Sequence, residues 1–336
     1  METEISDTAA RLHEESIVID GLVGSMMNLD PVMDGGLTAG NITLASSSTQ
    51  DFLPVLRSAM EYHDLARVDD RAVMVHVAED IVRAKEAGKA GFILGVQGCD
   101  FLGRDLDNIW IAQRCGLRIM QPTYNEENLL GYGCLEKTDH GLKAYGRIVI
   151  REFNRLNMLV DVAHVGQQTA LDCTEASATP TILSHCNTRA LNDNPRCVSD
   201  ELIKEVGAAG GVVGISTYSS FAETTYDQRP TVEDVLRHIS HAIDLVGVDH
   251  VGIGTDCFEA RSPVSFERAM VRKYPEVLRT YMTAESRHAI GMGSSRSLPK
   301  LTQGMLDLGM PEDDIRKVLG LNFLRVFTEV FGEART

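Results

Sequence analysis

The sequence predicts an α/β protein built as one (β/α)8 barrel of the TIM type. Two observations favour this fold. Eight short apolar runs alternate with longer amphipathic stretches along the chain, and no Gly-rich phosphate loop follows the first run. Strand and helix segments in alternation indicate parallel strands with right-handed crossovers. Eight such units without a phosphate loop favour a closed barrel over an open doubly wound sheet.

The eight predicted strands are short segments, most of them rich in β-branched residues. In chain order they cover residues 16–20, 37–43, 90–96, 117–123, 158–164, 179–185, 210–216 and 249–256. The intervening segments have apolar residues at helical spacing, for example at residues 201–210 and 231–246. In the second of these, Thr231 is predicted to cap the helix and Glu233 to lie in its first turn.

The chain shows no internal repeat, low-complexity tract or linker, so residues 1–336 are predicted to form a single domain. One segment breaks the alternation. Residues Glu259–Leu298, rich in Met, Ser and Arg, separate the eighth strand from the last helices. A long connection at this end of a barrel strand lies on the face where active sites form, which makes the segment a candidate lid. A purely structural subdomain is the equal alternative.

Composition excludes some classes of partner. The formal net charge is −16 and the pI is about 5.0, which argues against binding to nucleic-acid backbones because these need clustered Lys and Arg. The N-terminus lacks a basic start followed by an apolar run, and no stretch approaches the ~18 apolar residues of a spanning helix. The sequence therefore predicts a cytoplasmic protein with no membrane partner. Its 7 cysteines are scattered and expected to be reduced.

Five polar residues stand at or just after predicted strand ends, where side chains of a barrel point into a shared mouth. They are Gln97, Tyr124, His164, His185 and Asp256. Two imidazoles and a carboxylate are usual ligands of catalytic zinc, with one position left for water. The alternative for any single histidine is an ordinary hydrogen-bonded polar residue. The other eight histidines are expected to be structural: His13, His63, His76, His140, His238, His241, His250 and His288.

The tract of residues 192–203 follows the sixth predicted strand and carries Arg196. An arginine at this end of a barrel can bind a carboxylate through two hydrogen bonds. The alternative is a surface ion pair with Asp200 or Glu201. The sequence favours neither.

Five stretches carry a family resemblance. They are residues 121–134 (QPTYNEENLLGYGC), 141–166, 180–203 (PTILSHCNTRALNDNPRCVSDELI), 249–257 (DHVGIGTDC) and 314–327 (DIRKVLGLNFLRVF). In this order they resemble the membrane dipeptidase family, peptidase family M19 of the metal-dependent hydrolases. The likeness runs from about Ile17 to Phe331.

The resemblance implies a binuclear zinc site in a metal-dependent hydrolase barrel. His164 and His185 match the two histidines that hold the second metal. Leu22 and Gly24, however, occupy the positions of the His-x-Asp pair in the first strand, and Gln97 replaces the bridging Glu. We therefore expect one Zn2+ per chain on His164 and His185, with Gln97 as a weak ligand and Asp256 as a possible one, and loss of the second zinc site.

The resemblance also implies roles for the remaining residues. Tyr124 stands where many members have a histidine that stabilises the tetrahedral intermediate, and Arg196 matches the arginine that contacts the substrate carboxylate, although Cys197 replaces the asparagine that usually follows. Asp256 matches the aspartate associated with the substrate amine and the catalytic water.

The expected activity is hydrolysis of an amide bond in a small carboxylate-bearing molecule, a dipeptide by default. The alternatives are a barrel that only binds or senses a small molecule, and a hydrolase of a non-dipeptide amide. The resemblance also suggests a homodimer.

Overall fold

The computed structural model describes residues 4–45, 51–260, 273–281 and 283–332. Its strands are all parallel, and eight of them close into a barrel in the order β1-β2-β4-β5-β6-β7-β8-β9 with β9 beside β1; β3 pairs with β4 and β10 with β1. The predicted fold class is therefore confirmed. The strands are β1 (Ile19–Ser25), β2 (Ala39–Thr43), β3 (Ala72–Met74), β4 (Ala90–Gln97), β5 (Leu117–Gln121), β6 (Leu159–Asp161), β7 (Thr181–Cys186), β8 (Val212–Ile215), β9 (Val251–Ile253) and β10 (Cys257–Phe258).

Helices surround the barrel. Those described are α1 (Asp7–Glu15), α2 (Leu29–Asp34), α3 (Phe52–Val68), α4 (Ala78–Glu86), α5 (Asp107–Arg114), α6 (Ala144–Arg155), α7 (Gln167–Ala176), α8 (Asp200–Ala208), α9 (Ser219–Ala222), α10 (Val232–Val246), α11 (Pro275–Leu278), α12 (Leu298–Asp307), α13 (Glu312–Arg316) and α14 (Asn322–Val330). The two predicted helical segments correspond to α8 and α10, and Thr231 caps α10 with Asp234 closing the capping box. No helix among the described residues is long and apolar enough to cross a membrane.

Phe323 closes the end of the barrel opposite the mouth. Its ring belongs to a buried apolar cluster with one residue from each of seven barrel strands, namely Ile19, Ala39, Ile93, Ile119, Leu159, Ile182 and Val212. Gly21 and Gly252 make room for the ring. A Cβ atom would lie 2.7 Å from the ring at position 21 and 2.6 Å from it at position 252. Phe323 of the C-terminal helix α14 thus forms a plug that packs with residues of seven barrel strands.

The first strand lies further along the chain than expected. Residues 16–20 were predicted, whereas β1 runs over Ile19–Ser25 and all seven of its residues are buried. Glycines at 21 and 24 interrupt the apolar pattern there, so the periodicity hides the strand's second half. As a result, Leu22 and Gly24 lie within the barrel wall rather than in a loop beyond it.

A buried carboxylate ties β1 to β9, where the ladder itself contributes one residue pair, Asp20 with Ile253. Oδ1 of Asp20 accepts the backbone N–H groups of Thr255 (2.8 Å) and Leu22 (3.1 Å), and Oδ2 accepts the Thr255 hydroxyl at 2.5 Å. Burial raises the pKa of Asp20 to about 7, although the Thr255 and Leu22 hydrogen bonds favour its ionised form. Asp20 therefore adds two hydrogen bonds to Thr255 to the backbone pairing of β9 and β10 with β1 that closes the barrel.

Asp20→Ala should lower the free energy of unfolding by about 3 kcal/mol or more, since three buried donors lose their acceptor at roughly 1–3 kcal/mol each. Urea denaturation measures the effect. The control is Asp30→Ala, which removes an exposed ion pair with Arg71 and should cost under about 1 kcal/mol. Equal, small losses in both variants would contradict the role assigned to Asp20.

Candidate functional site

A cavity of about 220 Å3 opens at the carboxyl ends of the barrel strands. Four sequence-predicted residues line it, namely Gln97, Tyr124, His164 and Asp256. They come from four different strands or the loops that follow them, as expected for polar residues at the mouth of a barrel. His185, the fifth, lies behind His164 and is fully buried.

His164, which follows β6, and His185, which lies in the neighbouring strand β7, face each other. Their Nε2 atoms are 2.9 Å apart and their ring centroids 4.9 Å. Burial holds the pKa of both imidazoles well below the usual value, and the nearby charge of Arg196 lowers both further. Both rings are therefore neutral at pH 7, the form that binds a metal ion.

Hydrogen bonds on the far side of each ring fix its orientation. Nδ1 of His164 lies 2.6 Å from Oδ1 of Asn125, an acceptor, so this nitrogen carries the proton. Nδ1 of His185 lies 2.7 Å from the Ser184 hydroxyl, which itself donates to Asp161 Oδ2 at 2.6 Å. With both protons on Nδ1, both Nε2 atoms are acceptors and lie only 2.9 Å apart, a repulsive contact that a bound cation would relieve.

Asp161 binds Ser184 through hydrogen bonds in the same way that Asp20 binds Thr255. Its Oδ1 accepts the backbone N–H groups of Ala163 and Ser184, each at 3.0 Å, and its Oδ2 accepts the Ser184 hydroxyl. The side chain is buried between β6 and β7. This clamp fixes the residue immediately before His185.

Two of the mouth residues have left-handed backbone conformations, His164 at φ 61° and Asp256 at φ 60°. This region is unfavourable for residues other than glycine, and such strain concentrates at functional sites. Burial raises the pKa of Asp256 to about 6, while the positive charges of Arg196 and Arg287 oppose the rise. Asp256 is thus a carboxylate that gains and loses its proton close to neutral pH.

The Tyr124 ring stacks on His164, with centroids 4.0 Å apart and planes at 22°. Burial raises the pKa of its phenol well above the usual value, so the hydroxyl stays protonated and can act as a hydrogen-bond donor.

Arg196 is buried rather than exposed at the mouth, with 1% of its surface accessible. It lines a neighbouring cavity of about 170 Å3, its Nη2 donates to the backbone oxygen of His185 at 2.9 Å, and its guanidinium lies over the Phe221 ring. The alternative of a surface ion pair with Asp200 is wrong, because Asp200 pairs with His241 instead. Nε of Arg196 is buried and has no partner among the described residues.

The side chain of Gln97 presents its amide nitrogen, not its oxygen, to Nε2 of His185 at 3.1 Å. In this arrangement it is a hydrogen-bond donor to the histidine, which differs from the weak oxygen ligand expected from the sequence. The side-chain nitrogen of Asn125, by contrast, is buried with no hydrogen-bond partner in the described part of the chain, and Asn125 lines the cavity.

Sequence reasoning missed four residues of the site: Asn125, Asp161, Ser184 and Phe258. The first three have positional signals, since Asn125 follows Tyr124, Ser184 precedes His185 and Asp161 stands three residues before His164. Phe258 carries no such signal, because its importance depends on Gly24, a residue far away in the chain.

The binuclear zinc site implied by the resemblance does not fit these residues. Leu22 is an apolar side chain with 1% of its surface accessible, and a Cβ atom at Gly24 would lie 1.9–2.5 Å from three atoms of the Phe258 ring. Within the described ranges, no three His, Cys, Asp or Glu side chains form a group able to hold a metal. Asp256 therefore does not complete a three-ligand set. The Nε2 atoms of His164 and His185, 2.9 Å apart, are the part of the implied ligand set that the chain retains.

Two residues in the described part of the candidate lid line the cavity. Residues 261–272 and 282 lie outside the described residues. Val277 and Leu278 of α11 line the cavity, and both pack with Tyr124, Tyr218 and Phe221. Asn194 holds α11 in place by donating to the Val277 oxygen at 3.0 Å.

Comparison with known proteins gives one family. A family model described as membrane dipeptidase (peptidase family M19) matches residues 33–285. The dipeptidase tcpJ of Claviceps purpurea is 28% identical over 78% of this chain, and an uncharacterized dipeptidase of Schizosaccharomyces pombe is 32% identical over 68%. These matches span 56% and 58% of the relatives' own lengths. A crystal structure of an amidohydrolase from Pseudomonas aeruginosa is 32% identical, with a TM-score of 0.86 and coverage of 97% and 99% of the two chains.

Ser184→Ala removes the acceptor for the His185 Nδ1 proton, so the ring loses its fixed orientation. We expect the affinity of the histidine pair for zinc to fall roughly 10–100-fold, the usual effect of removing such a partner. Titration against a chelator measures this, with Ser184→Thr as the variant that keeps the hydroxyl. Unchanged zinc affinity in Ser184→Ala would contradict the role of the Asp161 clamp.

Proposed function

The chain belongs to the membrane dipeptidase family, peptidase family M19, and from that membership we propose that it hydrolyses an amide bond in a small carboxylate-bearing molecule, with a dipeptide as the default substrate. One observation carries the proposal. A carboxylate with a pKa of about 6, a protonated phenol and a pair of neutral imidazoles meet at one barrel mouth. These are the groups that hydrolysis of an amide needs: a base, a donor to the oxyanion and a place for a metal ion.

The proposed roles follow from the geometry of the mouth. Asp256 accepts the proton of the attacking water, which requires its ionised form. The Tyr124 hydroxyl and the unpaired Asn125 amide nitrogen donate to the oxygen that becomes negative. His164 and His185 would hold one zinc ion, which would polarise the carbonyl and lower the pKa of water. Gln97 orients His185 through its amide nitrogen.

Arg196 is proposed to attract and hold the substrate carboxylate. Its charge acts on the mouth, since it lowers the pKa of Asp256, His164 and His185. Its unpartnered Nε supports a ligand contact, because a buried donor without an acceptor costs about 1–3 kcal/mol. The contact would require the substrate carboxylate to reach past the Phe221 ring, over which the guanidinium lies.

A second candidate function is a barrel that binds or senses a small molecule without hydrolysing it. The apolar replacement of the first metal position by Leu22, Gly24 and Phe258 favours this reading. For either function we propose a cytoplasmic protein with a small-molecule ligand and no membrane partner, forming a homodimer. We also propose one domain over residues 1–336, with a lid at Glu259–Leu298.

Elemental analysis and a dipeptide hydrolysis panel on the same preparation test the proposal. We expect about one zinc per chain, and turnover that Asp256→Asn lowers at least ~100-fold. His185→Ala should lower both zinc content and turnover. Zinc without turnover of any dipeptide would indicate another amide substrate, whereas neither zinc nor turnover would favour the binding protein.

Arg196→Met should raise KM for free-acid substrates by roughly 10–100-fold, because a charge-assisted contact is worth about 1.5–3 kcal/mol. Amidated substrates should respond far less, and Arg196→Lys should restore part of the difference. Steady-state kinetics on paired free-acid and amide substrates provide the measurement. An equal response of both substrate classes would mean that Arg196 does not contact the carboxylate.

The kcat/KM of hydrolysis should fall as the pH drops below about 6. The folded-state pKa of Asp256 is raised to about 6, so the ionised base is lost about tenfold per pH unit below that value. Activity above pH 7 should be independent of this group. A pH profile with no acidic limb between pH 4 and 7 would exclude Asp256 as the base.

A further inference from the structure

The ring of Phe258 lies against the backbone of Gly24. An ideal Cβ atom at position 24 would lie 1.9 Å from Cε2, 2.2 Å from Cδ2 and 2.5 Å from Cζ of this ring. Gly24 lies in β1 and Phe258 in β10, and these strands pair in parallel, Val23 with Cys257 and Ser25 with Phe258. Gly24 is therefore the extra residue of a bulge in β1. A bulge beside a mouth redirects side chains, and here the absence of a side chain at 24 leaves room for the ring.

The cavity has two chemically different sides. Gly24, Phe258, Leu44 and Ala45 line it next to β1 and β2. The acid, amide and imidazole of Asp256, Asn125 and His164 line it elsewhere. On the β1 side the cavity wall thus consists of the Phe258 ring and aliphatic side chains, with Thr43 as a polar residue. An ion held there would have no anionic ligand from β1.

We propose that Phe258 is a specificity-determining residue of this mouth. Its ring fills the volume that a side chain at position 24 would need, the position where the resemblance implies the first-strand carboxylate, so this side of the cavity receives an apolar group of the ligand. The metal consequence is independent of the proposed hydrolysis, whereas the ligand consequence rests on it.

Loss of the first metal position is thus coupled to the presence of the Phe258 ring. Restoring the ligands at positions 22, 24 and 97 is insufficient, because any side chain at 24 overlaps the ring. Phe258 must also be removed. Conversely, Gly24 must stay glycine for as long as Phe258 is present, since overpacked sites force neighbouring groups apart.

A double-mutant cycle tests the contact without any metal or substrate. Gly24→Ala should lower Tm by several degrees in the wild-type chain and by much less in Phe258→Ala, where the ring is absent. Both backgrounds are compared by thermal unfolding. Gly293→Ala serves as control for the general effect of the change, because this glycine has no positive φ and the nearest atom to its Cβ position is 4.0 Å away. If Gly24→Ala lowers Tm equally in both backgrounds, or in neither, the ring does not occupy the space and the proposal fails.

Zinc content tests the metal consequence. Leu22→His, Gly24→Asp and Gln97→Glu together should leave zinc content at the wild-type level when Phe258 is present. Adding Phe258→Ala should raise it by about one equivalent, and replacing Gly24→Asp by Gly24→Asn in that variant should abolish the gain. A full extra equivalent in the triple variant, or none in the folded quadruple variant, would overturn the proposal. If the triple variant does not fold while the quadruple variant does, the steric conflict is supported directly.

Substrate preference tests the ligand consequence. In Phe258→Ala the ratio of kcat/KM for Leu-containing over Gly-containing dipeptides should change by roughly tenfold, the size of effect expected when a pocket wall moves by a few carbon atoms. An unchanged ratio in a variant that still turns over would contradict the ligand assignment. If the wild type hydrolyses no dipeptide, the proposed function fails, and the unfolding cycle and zinc content still decide the role of Phe258.

Discussion

The carboxylate of Asp20 is the constraint on which both the barrel and its mouth depend. A closed barrel needs its last strand to meet its first, and here the ladder between β9 and β1 has a single residue pair. The bonds from Asp20 to Thr255 extend that junction beyond the end of β9. Thr255 immediately precedes Asp256. The hydrogen bonds from Thr255 to Asp20 therefore both help to close the barrel and position the proposed base.

Asp161 repeats this arrangement on the opposite side of the barrel. Each aspartate accepts the N–H group of the residue two positions ahead of it in the chain. It also accepts the N–H and hydroxyl of a residue in, or just after, the neighbouring strand. The hydroxyl residue in both cases stands immediately before a functional side chain, His185 or Asp256. Buried carboxylates with three such bonds are rigid supports, so the mouth is held from below by the wall itself.

The sequence predicted the eight barrel strands because most of them are short β-branched runs bounded by polar or helical segments. It also predicted that Gln97, Tyr124, His164 and Asp256 face the mouth, since strand ends in a barrel share one face, whereas His185 lies behind His164. The position of β1 was wrong because Gly21 and Gly24 conceal its apolar pattern. The burial of Arg196 and the contact of Phe258 with Gly24 depend on how distant segments pack, and no local pattern in the chain reports that.

The left-handed backbone at His164 and Asp256 gives a reason to regard the mouth as maintained for chemistry. Each such residue costs about 1–2 kcal/mol relative to a glycine, which adopts this conformation freely. Folding alone would therefore favour glycine at both positions, in a protein whose total stability is only about 5–15 kcal/mol. Asn157, Asp227 and Arg279 adopt the same conformation outside the cavity, whereas at His164 and Asp256 the cost falls on two side chains that line one cavity.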